Sequence, residues 1–333
     1  MPPTALITGV TGQDGAYLSR LLAEKDYRIF GLVPRSGRYP FGNLDYLGVT
    51  DRVEFIEGDL TDEASLFRAV GVVRPDEVYN LAALSSVGGS WDRPRLATEV
   101  NALGPLTLLE AVRQLAPNAR FFQASSSTMF GDGGDEAAQS EQTPPYPRSP
   151  YAVAKLHAHW LVSLYRETHG LFCVSGILFN HESPIRGPEF VTRKIAINVA
   201  RIKLGLVDRF ELANLDGRRD WGFAGDYVRG VHRMLQQDTP DDYVLATGKT
   251  HSVADFVDAA FRHVGIADWR DRVQVAPADS RPIDRIVAPG DPRHAQSELG
   301  WRPSVGFDGL VAMMVDADIE RLEHEPAVAV VRR

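Results

Sequence analysis

The sequence predicts an α/β protein, with a doubly wound parallel sheet followed by a smaller C-terminal α/β lobe. Short apolar runs alternate with amphipathic stretches from residue 4 to residue 180. This alternation is typical of a parallel sheet that helices cover on both faces. A glycine-rich turn follows the first apolar run, and the regular alternation stops after residue 180. These observations together predict the fold class.

The first half of the chain predicts six strands and the helices that join them. Continuous apolar runs indicate buried strands, and apolar residues at helical spacing, such as Leu18, Leu21 and Leu22, indicate amphipathic helices. The predicted strands are residues 5–7, 28–33, 53–58, 77–81, 120–124 and 172–179. The predicted helices are residues 15–25, 64–73, 97–115 and 150–169.

The part of the chain after residue 180 predicts a different organisation. Residues 180–189 are polar and interrupted by Pro and Gly, which favours a loop, and residues 131–147, earlier in the chain, have the same character. Helices are expected at 192–204, 253–264 and 309–323, and a strand at 208–215. We therefore assign 1–180 and about 222–250 to a dinucleotide-binding domain, and 181–221 and 251–333 to the smaller lobe.

Charge and composition exclude several classes of partner. The chain has 36 Lys and Arg against 44 Asp and Glu, a net charge of −8, and no long basic run. A nucleic acid or a membrane surface is therefore not expected as a partner. No apolar stretch reaches the roughly 20 residues of a membrane helix, and no leader pattern precedes the first strand, so we expect a cytoplasmic protein. Cys173 stands alone, which excludes an intramolecular disulfide, and we predict no metal site.

The turn after the first strand predicts a dinucleotide site of the Rossmann type. Glycines at positions 9, 12 and 15 enclose Thr11, Gln13 and Asp14 and lead directly into a helix. Glycine allows a tight turn and a close approach of the backbone to a pyrophosphate. The free N–H groups and partial positive charge of the helix N-terminus favour the phosphates.

The end of the second strand bears on the choice between NADP and NAD. An acidic residue there would favour NAD by binding the ribose hydroxyls, whereas this strand ends before Pro34 and Arg35. Arginine suits the additional phosphate of NADP. Asp59, after the third strand, has two interpretations: contact with the adenine edge or capping of the next helix.

A tyrosine and a lysine at 151 and 155 predict hydride chemistry. Four residues apart on one helix, they share a face. A phenol has a pKa of about 10, and a neighbouring Lys cation and a positive nicotinamide are expected to lower it. Tyr151 could then exchange a proton with a hydroxyl while hydride leaves or joins the carbon. Ser126, after the fifth strand, is expected to bind the same oxygen.

These residues resemble the extended short-chain dehydrogenase/reductase family, and within it the GDP-mannose 4,6-dehydratase branch, over nearly the whole chain. The similarity lies in residues 8–18, 79–83, 147–151, 176–184, 190–194 and 219–222. Asn-His-Glu-Ser-Pro at 180–184 and Val-Thr-Arg-Lys at 191–194 are its most specific parts. The resemblance implies NADP(H) rather than NAD(H), a GDP-linked hexose bound by the smaller lobe, and a homodimer, with a tetramer as the alternative.

The motifs and the resemblance together assign the site residues. The expected cofactor-binding residues are Gly9, Thr11, Gly12, Gln13, Asp14, Gly15, Arg35, Asp59, Leu60, Leu81, Ala82, Ala83, Tyr151, Lys155, Asn180 and His181. The expected substrate-binding residues are Ser85, Asn180, Val191, Lys194, Arg219, Arg281 and Asp284. Lys and Arg provide point-charge and bidentate donors for a diphosphate.

The resemblance fails at a catalytic position. The dehydratase pattern Ser-Thr-Ser-Glu is here Ser125-Ser126-Ser127-Thr128, so a threonine replaces the carboxylate that would remove the C5 proton. Losing a general base typically costs about 10²–10⁴ in rate. The arrangement Ser-x-Thr-x-aromatic-Gly instead resembles UDP-galactose 4-epimerase. Ser36 replaces an arginine and Asp284 a glutamate of the family pattern, which weakens the inference of a tetramer and changes the expected sugar contacts.

Three functions are consistent with the sequence. The first is an NADP(H)-dependent GDP-sugar enzyme that works through a 4-keto intermediate, as a 4-epimerase or 4-ketoreductase, with Ser126, Thr128, Tyr151 and Lys155 as its catalytic set. The second is a GDP-mannose 4,6-dehydratase whose base lies elsewhere, at Glu182 or in the 132–141 loop. The third is a dinucleotide-binding sensor without catalysis, which would have no need of the intact catalytic set.

Overall fold

The protein is described by a computed structural model that covers residues 1–34, 41–131, 137–275 and 288–324. The strands are β1 (Thr4–Thr8), β2 (Arg28–Val33), β3 (Val53–Glu57), β4 (Glu77–Asn80), β5 (Arg120–Ser126), β6 (Cys173–Leu178), β7 (Asn180–Glu182), β8 (Phe210–Leu212), β9 (Arg218–Arg219), β10 (Trp221–Phe223), β11 (Tyr243–Leu245), β12 (His251–Ser252) and β13 (Val273–Val275). The helices are α1 (Gln13–Ala23), α2 (Gly42–Tyr46), α3 (Glu63–Val73), α4 (Gly89–Asp92), α5 (Pro94–Thr98), α6 (Gly104–Leu115), α7 (Pro150–His169), α8 (Val191–Lys203), α9 (Ala224–Met234), α10 (Val253–His263), α11 (Arg293–Glu298) and α12 (Phe307–His324).

The main sheet has seven parallel strands in the order β3-β2-β1-β4-β5-β6-β11. Its strand order reverses direction at β1, as in a doubly wound Rossmann-type sheet. One apolar cluster packs α1 and α9 on the sheet, and another packs α3 and α6 on it. Ligands of such sheets bind at the carboxyl ends of the strands, on either side of the reversal. The predicted fold class is confirmed.

A further apolar cluster lies outside the main sheet. It joins α8, α10 and α12 with β8 and β13, which pair in parallel. Residues 222–250 are expected to belong to the domain of the main sheet. They contain α9 and then β11, which pairs with β6 in that sheet. The domain boundaries at 180, 222 and 250 remain a prediction.

The structure corrects two expectations about local elements. Residues 180–182, expected in a loop, form β7, because Trp221–Phe223 lies alongside and pairs with them in parallel. The helix expected at 97–115 is divided: α5 ends at Thr98, a π-helical turn covers Glu99–Leu103, and α6 follows. Pro105 has no N–H to donate to the preceding turn, so a regular α-helix is not continuous there.

Candidate active site

The glycine turn brings the ends of β1 and β4 into contact. Gly9 has a φ of +70°, and a Cβ at this position would lie 2.7 Å from the backbone nitrogen of Ala82. A Cβ on Gly15 would lie 2.3 Å from the carbonyl oxygen of Gly9. Glycine is therefore required at both positions, by backbone conformation at the first and by close backbone packing at the second. The N-terminus of α1 remains open toward the carboxyl edge of the sheet.

A cavity of about 420 Å³, here called the glycine-loop cavity, runs along this edge. Leu32 and Pro34 line one end of it, and Arg186 also lines it. Its wall fits a dinucleotide, because backbone N–H groups and residues without bulky side chains form the turn. Most of the expected cofactor-binding residues line this cavity, namely Gly9, Thr11, Gly12, Gln13, Asp14, Gly15, Asp59, Leu60, Leu81, Ala82 and Ala83.

The structure shows the contacts of Asp59, whereas Arg35 lies outside the residues that it describes. The carboxylate of Asp59 accepts hydrogen bonds from the backbone nitrogen and hydroxyl of Thr61, at 2.8 and 2.7 Å. Asp59 thus stabilises the turn before α3, while Asp62 caps the helix itself. Arg35 lies outside the described residues, as do Arg281 and Asp284.

A second cavity of about 470 Å³, here called the Tyr151 cavity, adjoins the first. Asp14, Leu81 and Arg186 are among the residues that line both. The Tyr151 cavity brings together side chains from the main sheet and from the segment after residue 180. The expected site residues that line it are Asp14, Leu81, Ala83, Ser85, Ser126, Thr128, Tyr151, Lys155, Asn180, His181, Val191 and Arg219.

Local structure explains how the residues predicted to be catalytic come together in the Tyr151 cavity. Strand β5 ends at Ser126, whose hydroxyl accepts from the backbone nitrogen of Thr128 and so caps the short helical turn 127–130. Ser149 caps α7 by accepting from Ala152, which places Tyr151 in the first turn of that helix. Lys155 then lies one turn further along the same face.

The hydroxyl groups of Ser126 and Thr128 form one hydrogen bond of 2.9 Å. Burial raises the pKa of Tyr151, and hydrogen bonding with Ser126 and the charge of Arg186 lower it in part. Arg186 is thus a cation of the protein that favours the phenolate. The side chains of the protein alone therefore do not produce the lowered pKa that the sequence suggested.

Lys155 contributes differently from the expectation. Its Nζ donates to the carbonyl oxygen of Ala124 at 2.8 Å and lies 5.8 Å from the centre of the Tyr151 ring. Burial lowers the pKa of Lys155 to about 8, with a small opposing effect of Asp14. The ammonium is consequently held on the β5 carbonyl and not on the phenol oxygen.

Lys194 is not brought to either cavity. Its side chain is exposed on α8 and does not line the glycine-loop cavity or the Tyr151 cavity. The reason is helical geometry: Thr192, Arg193 and Ile195 face the interior, so the position between them points outward. Arg219, predicted together with Lys194, does line the Tyr151 cavity.

Sequence reasoning missed two residues of the segment before α8. Arg186 lines both cavities, pairs with Glu182 at 3.1 Å and lies over the ring of Phe190. Glu189 lines the Tyr151 cavity, and its carboxylate forms no hydrogen bond or ion pair with another described residue. Position is the one signal for them in the sequence, because both follow the Asn-His-Glu-Ser-Pro stretch in the segment for which a polar loop is predicted.

Glu182, considered as a replacement base, is unsuitable for that role. It is only 1% exposed, accepts from the hydroxyl of Thr192 at 2.6 Å and pairs with Arg186. Its carboxylate does not line the Tyr151 cavity. In the described part of the 132–141 loop, Glu141 accepts from the backbone nitrogen of Val244.

Two further features concern metal-ligand groups and the hydropathy of the helices. Within the ranges that the structure describes, no group of three or more His, Cys, Asp or Glu side chains could hold a metal ion. None of the described helices has both the length and the apolar character that crossing a membrane requires.

Comparison with known proteins agrees with this geometry. The family model of GDP-mannose 4,6 dehydratase matches residues 6–314. GDP-mannose 4,6 dehydratase 1 of Arabidopsis thaliana is 47% identical, over 98% of this chain and 92% of the relative. GDP-mannose 4,6 dehydratase of Homo sapiens is 43% identical, over 97% and 93% of the two chains.

A solved structure extends the comparison to the fold. UDP-glucose 4-epimerase of Thermus thermophilus, in complex with NAD, has a TM-score of 0.81 and 29% identity, covering 95% of this chain and 98% of that one. Fold, site and relatives define the class: this is a nucleotide-sugar enzyme of the short-chain dehydrogenase/reductase type. Within that class, the chain belongs to the GDP-mannose 4,6 dehydratase family.

Proposed function

We propose that this protein is an NADP(H)-dependent enzyme that acts on a GDP-linked hexose through a 4-keto intermediate. One observation carries the proposal: Ser126, Tyr151 and Lys155 line a single cavity that adjoins the glycine-loop cavity. A dinucleotide on the glycine turn would therefore reach the same space as the phenol. The names of the relatives support GDP-mannose or a similar GDP-hexose as the substrate.

The hydride step follows from the positions of these side chains. When bound, the dinucleotide supplies the nicotinamide ring that accepts a hydride from C4. The phenolate of Tyr151 takes the proton of the C4 hydroxyl, and Ser126 donates a hydrogen bond to the same oxygen. Lys155, which lines the cavity one turn along α7, would help to hold the dinucleotide through its ammonium. In the reverse direction Tyr151 returns its proton to the carbonyl oxygen.

The threonine at position 128 favours a product in which the oxidation state of C6 is the same as in the substrate. A hydroxyl bonded to Ser126 at 2.9 Å replaces the carboxylate of the family pattern. A threonine hydroxyl does not ionise near neutral pH and cannot remove the C5 proton. A 4-ketone formed in the site would then take the hydride back from NADPH on its other face, as in a 4-epimerase. A 4-ketoreductase would instead take up a 4-ketosugar and reduce it with bound NADPH, releasing NADP⁺.

A second candidate function is dehydration to a 4-keto-6-deoxy sugar. The names of the relatives favour it, and so does Glu189, whose carboxylate lines the Tyr151 cavity. In this alternative Glu189 takes the proton from C5 and returns it to the C6 hydroxyl, which leaves as water. Hydride from the reduced dinucleotide then adds to C6, and a proton adds to C5.

We also propose NADP(H) rather than NAD(H). Strand β2 ends at Val33 and is followed by Pro34 and Arg35, so no acidic side chain follows it to bind the ribose hydroxyls. The guanidinium of Arg35 suits a phosphate at that position. Replacing Arg35 by Asp is expected to reverse the preference in a direct comparison of the Kd values of the two dinucleotides.

We further propose a homodimer formed through α7. This helix exposes Val153, Trp160 and Leu164 at 56%, 52% and 53%, and their spacing puts them along one side of the helix. An apolar stripe of this kind on a helix fits the same stripe of a second copy. A cytoplasmic location is proposed because the single cysteine, Cys173, is buried and free, as in proteins of reducing compartments.

The test is to incubate the purified protein with GDP-mannose and NADP⁺ and to follow the products by mass spectrometry and NMR. An isomer of unchanged mass supports epimerisation. The loss of one water supports dehydration and contradicts our first choice. If neither occurs, a GDP-4-keto-6-deoxyhexose with NADPH tests reduction, which consumes NADPH. No turnover in any of these assays would overturn the proposal.

A further inference from the structure

The imidazole of His181 lies between two hydrogen-bond acceptors. Its Nδ1 is 2.7 Å from the carbonyl oxygen of Phe179, and its Nε2 is 2.9 Å from a carboxylate oxygen of Asp14. A neutral imidazole carries one N–H, so it would turn a bare nitrogen lone pair toward one of these oxygens. The imidazolium donates to both. The geometry therefore favours a proton on each ring nitrogen.

The surroundings of the ring strengthen this assignment. The side chain is only 12% exposed, and the ring of Tyr227, from α9, stacks on it at 4.6 Å. Burial lowers the pKa of His181, but the charge and hydrogen bond of Asp14 outweigh it and raise the pKa above its ordinary value. For Asp14, burial raises the pKa, and interactions dominated by His181 lower it to about 2. Each group thus favours the charged form of the other.

The pair joins the glycine turn to the segment after the main sheet. Asp14 belongs to the first turn of α1, and His181 belongs to β7. Gln13 strengthens the same link, since its Nε2 donates to the carbonyl oxygen of His181 at 3.0 Å and its Oε1 accepts from Ser183 at 2.7 Å. Asn180, which precedes the histidine in β7, lines the Tyr151 cavity.

We propose that His181 is a buried imidazolium that positions the glycine turn against β7 and neutralises Asp14 beside the dinucleotide phosphates. Asp14 lines both cavities, at the helix N-terminus that faces the phosphates. An uncompensated carboxylate there would repel a pyrophosphate, whereas the ion pair has no net charge. His181 is thus a positioning residue, and its effect on binding rests on the proposed dinucleotide function.

Other groups around the imidazole ring also titrate or carry charge, and their effects must be distinguished from the protonation of His181. Arg186 opposes the imidazolium charge, and Tyr227 covers the ring from α9. From α7, Tyr151 and Lys155 line the same cavity, and Lys155 titrates near pH 8. A change of affinity with pH could therefore arise from Lys155. The proton on His181 has to be observed directly.

The first experiment is ¹⁵N NMR of the full chain with ¹⁵N-labelled histidine. The signals of His181 are identified by their loss in His181→Asn. We expect two protonated ring nitrogens that persist well above the ordinary His pKa of about 6.5. A single protonated nitrogen at neutral pH would overturn the proposal. This measurement needs no dinucleotide, so it stands even if the proposed function fails.

The second experiment compares the Kd of NADPH, by its fluorescence, in four proteins at pH 7.5. His181→Asn leaves Asp14 without its counter-charge and is expected to weaken binding at least about tenfold. The double variant Asp14→Asn/His181→Asn removes both charges and should recover most of the lost affinity. His232→Asn, a buried histidine remote from the cavities, is the matched control and should bind as the parent does.

The double variant keeps this test decisive if a single variant folds poorly. Equal weakening in His181→Asn and in the double variant would mean that His181 acts only through packing, and it would overturn the charge assignment. If the parent protein itself does not bind NADPH, the proposed function fails, while the NMR result still decides the state of His181.

Discussion

The two sides of the Tyr151 cavity are built in different ways. One side comes from β5 and α7 of the main sheet, where Ser126, Tyr151 and Lys155 have positions set by short segments. The other side comes from the segment after β6, which contributes Arg186 and Glu189, and from β9, which contributes Arg219. In the function that we propose, the first side carries the hydride chemistry. The second side meets the sugar nucleotide in that proposal and decides which product forms.

The largest effect should come from the sheet side. Tyr151→Phe removes the proton acceptor for C4 oxidation, and we expect kcat to fall by about 10²–10⁴. The variant should bind NADP(H) nearly as tightly as the parent, because its backbone and ring are retained. Steady-state kinetics and dinucleotide titration check the two parts. A variant that keeps more than about a tenth of the parent kcat would remove Tyr151 from the chemistry.

The residue at position 128 distinguishes dehydration from epimerisation or reduction in our proposal, so replacing Thr128 should change the product. Thr128→Glu restores a carboxylate beside Ser126 and is expected to raise water loss from the GDP-hexose by about 10² over the parent. Thr128→Gln has nearly the same shape but cannot take a proton, so it is the matched control. Mass spectrometry of the products measures the change. No gain in the Glu variant would contradict our account of the missing base.

The sugar-nucleotide side should respond in KM rather than in kcat. Arg219→Ala removes a guanidinium from the Tyr151 cavity, and we expect the KM for the GDP-hexose to rise about tenfold or more. Lys194→Ala, on the exposed face of α8, is the comparison variant and should change KM by less than about threefold. Equal effects of the two variants would mean that α8 moves when the substrate binds.

The smallest effect should come from Arg186, whose charge acts from the second side of the cavity on the pKa of Tyr151, on the first side. The charge of Arg186 lowers the pKa of Tyr151, so Arg186→Gln should raise that pKa. Oxidation needs the phenolate, and its rate should therefore begin to rise at a higher pH than in the parent. Arg321→Gln is the control, since Arg321 stacks on Tyr46 outside the Tyr151 cavity. A shift to lower pH in a pH–rate profile would contradict this assignment.

Sequence reasoning succeeded where neighbours in the chain are also neighbours in space. The glycine turn, the spacing of Tyr151 and Lys155 and the end of β5 at Ser126 are local features, and each lies in a cavity as expected. It failed for β7, because that strand exists only through its pairing with Trp221–Phe223. The sequence does not state which face of α8 packs inward, so the exposed position of Lys194 comes from the tertiary structure, and the substrate-binding role of Lys194 stays a prediction.

The sequence by itself determined the class of chemistry, since hydride transfer requires few groups and they lie on short, regular segments. It also determined the absence of a carboxylate at Thr128, which is a matter of residue type alone. Only the tertiary structure decided which charges face the reacting space. Arg186, Glu189 and the pair of Asp14 with His181 come from segments far apart in the chain, and their effects depend on distance and burial.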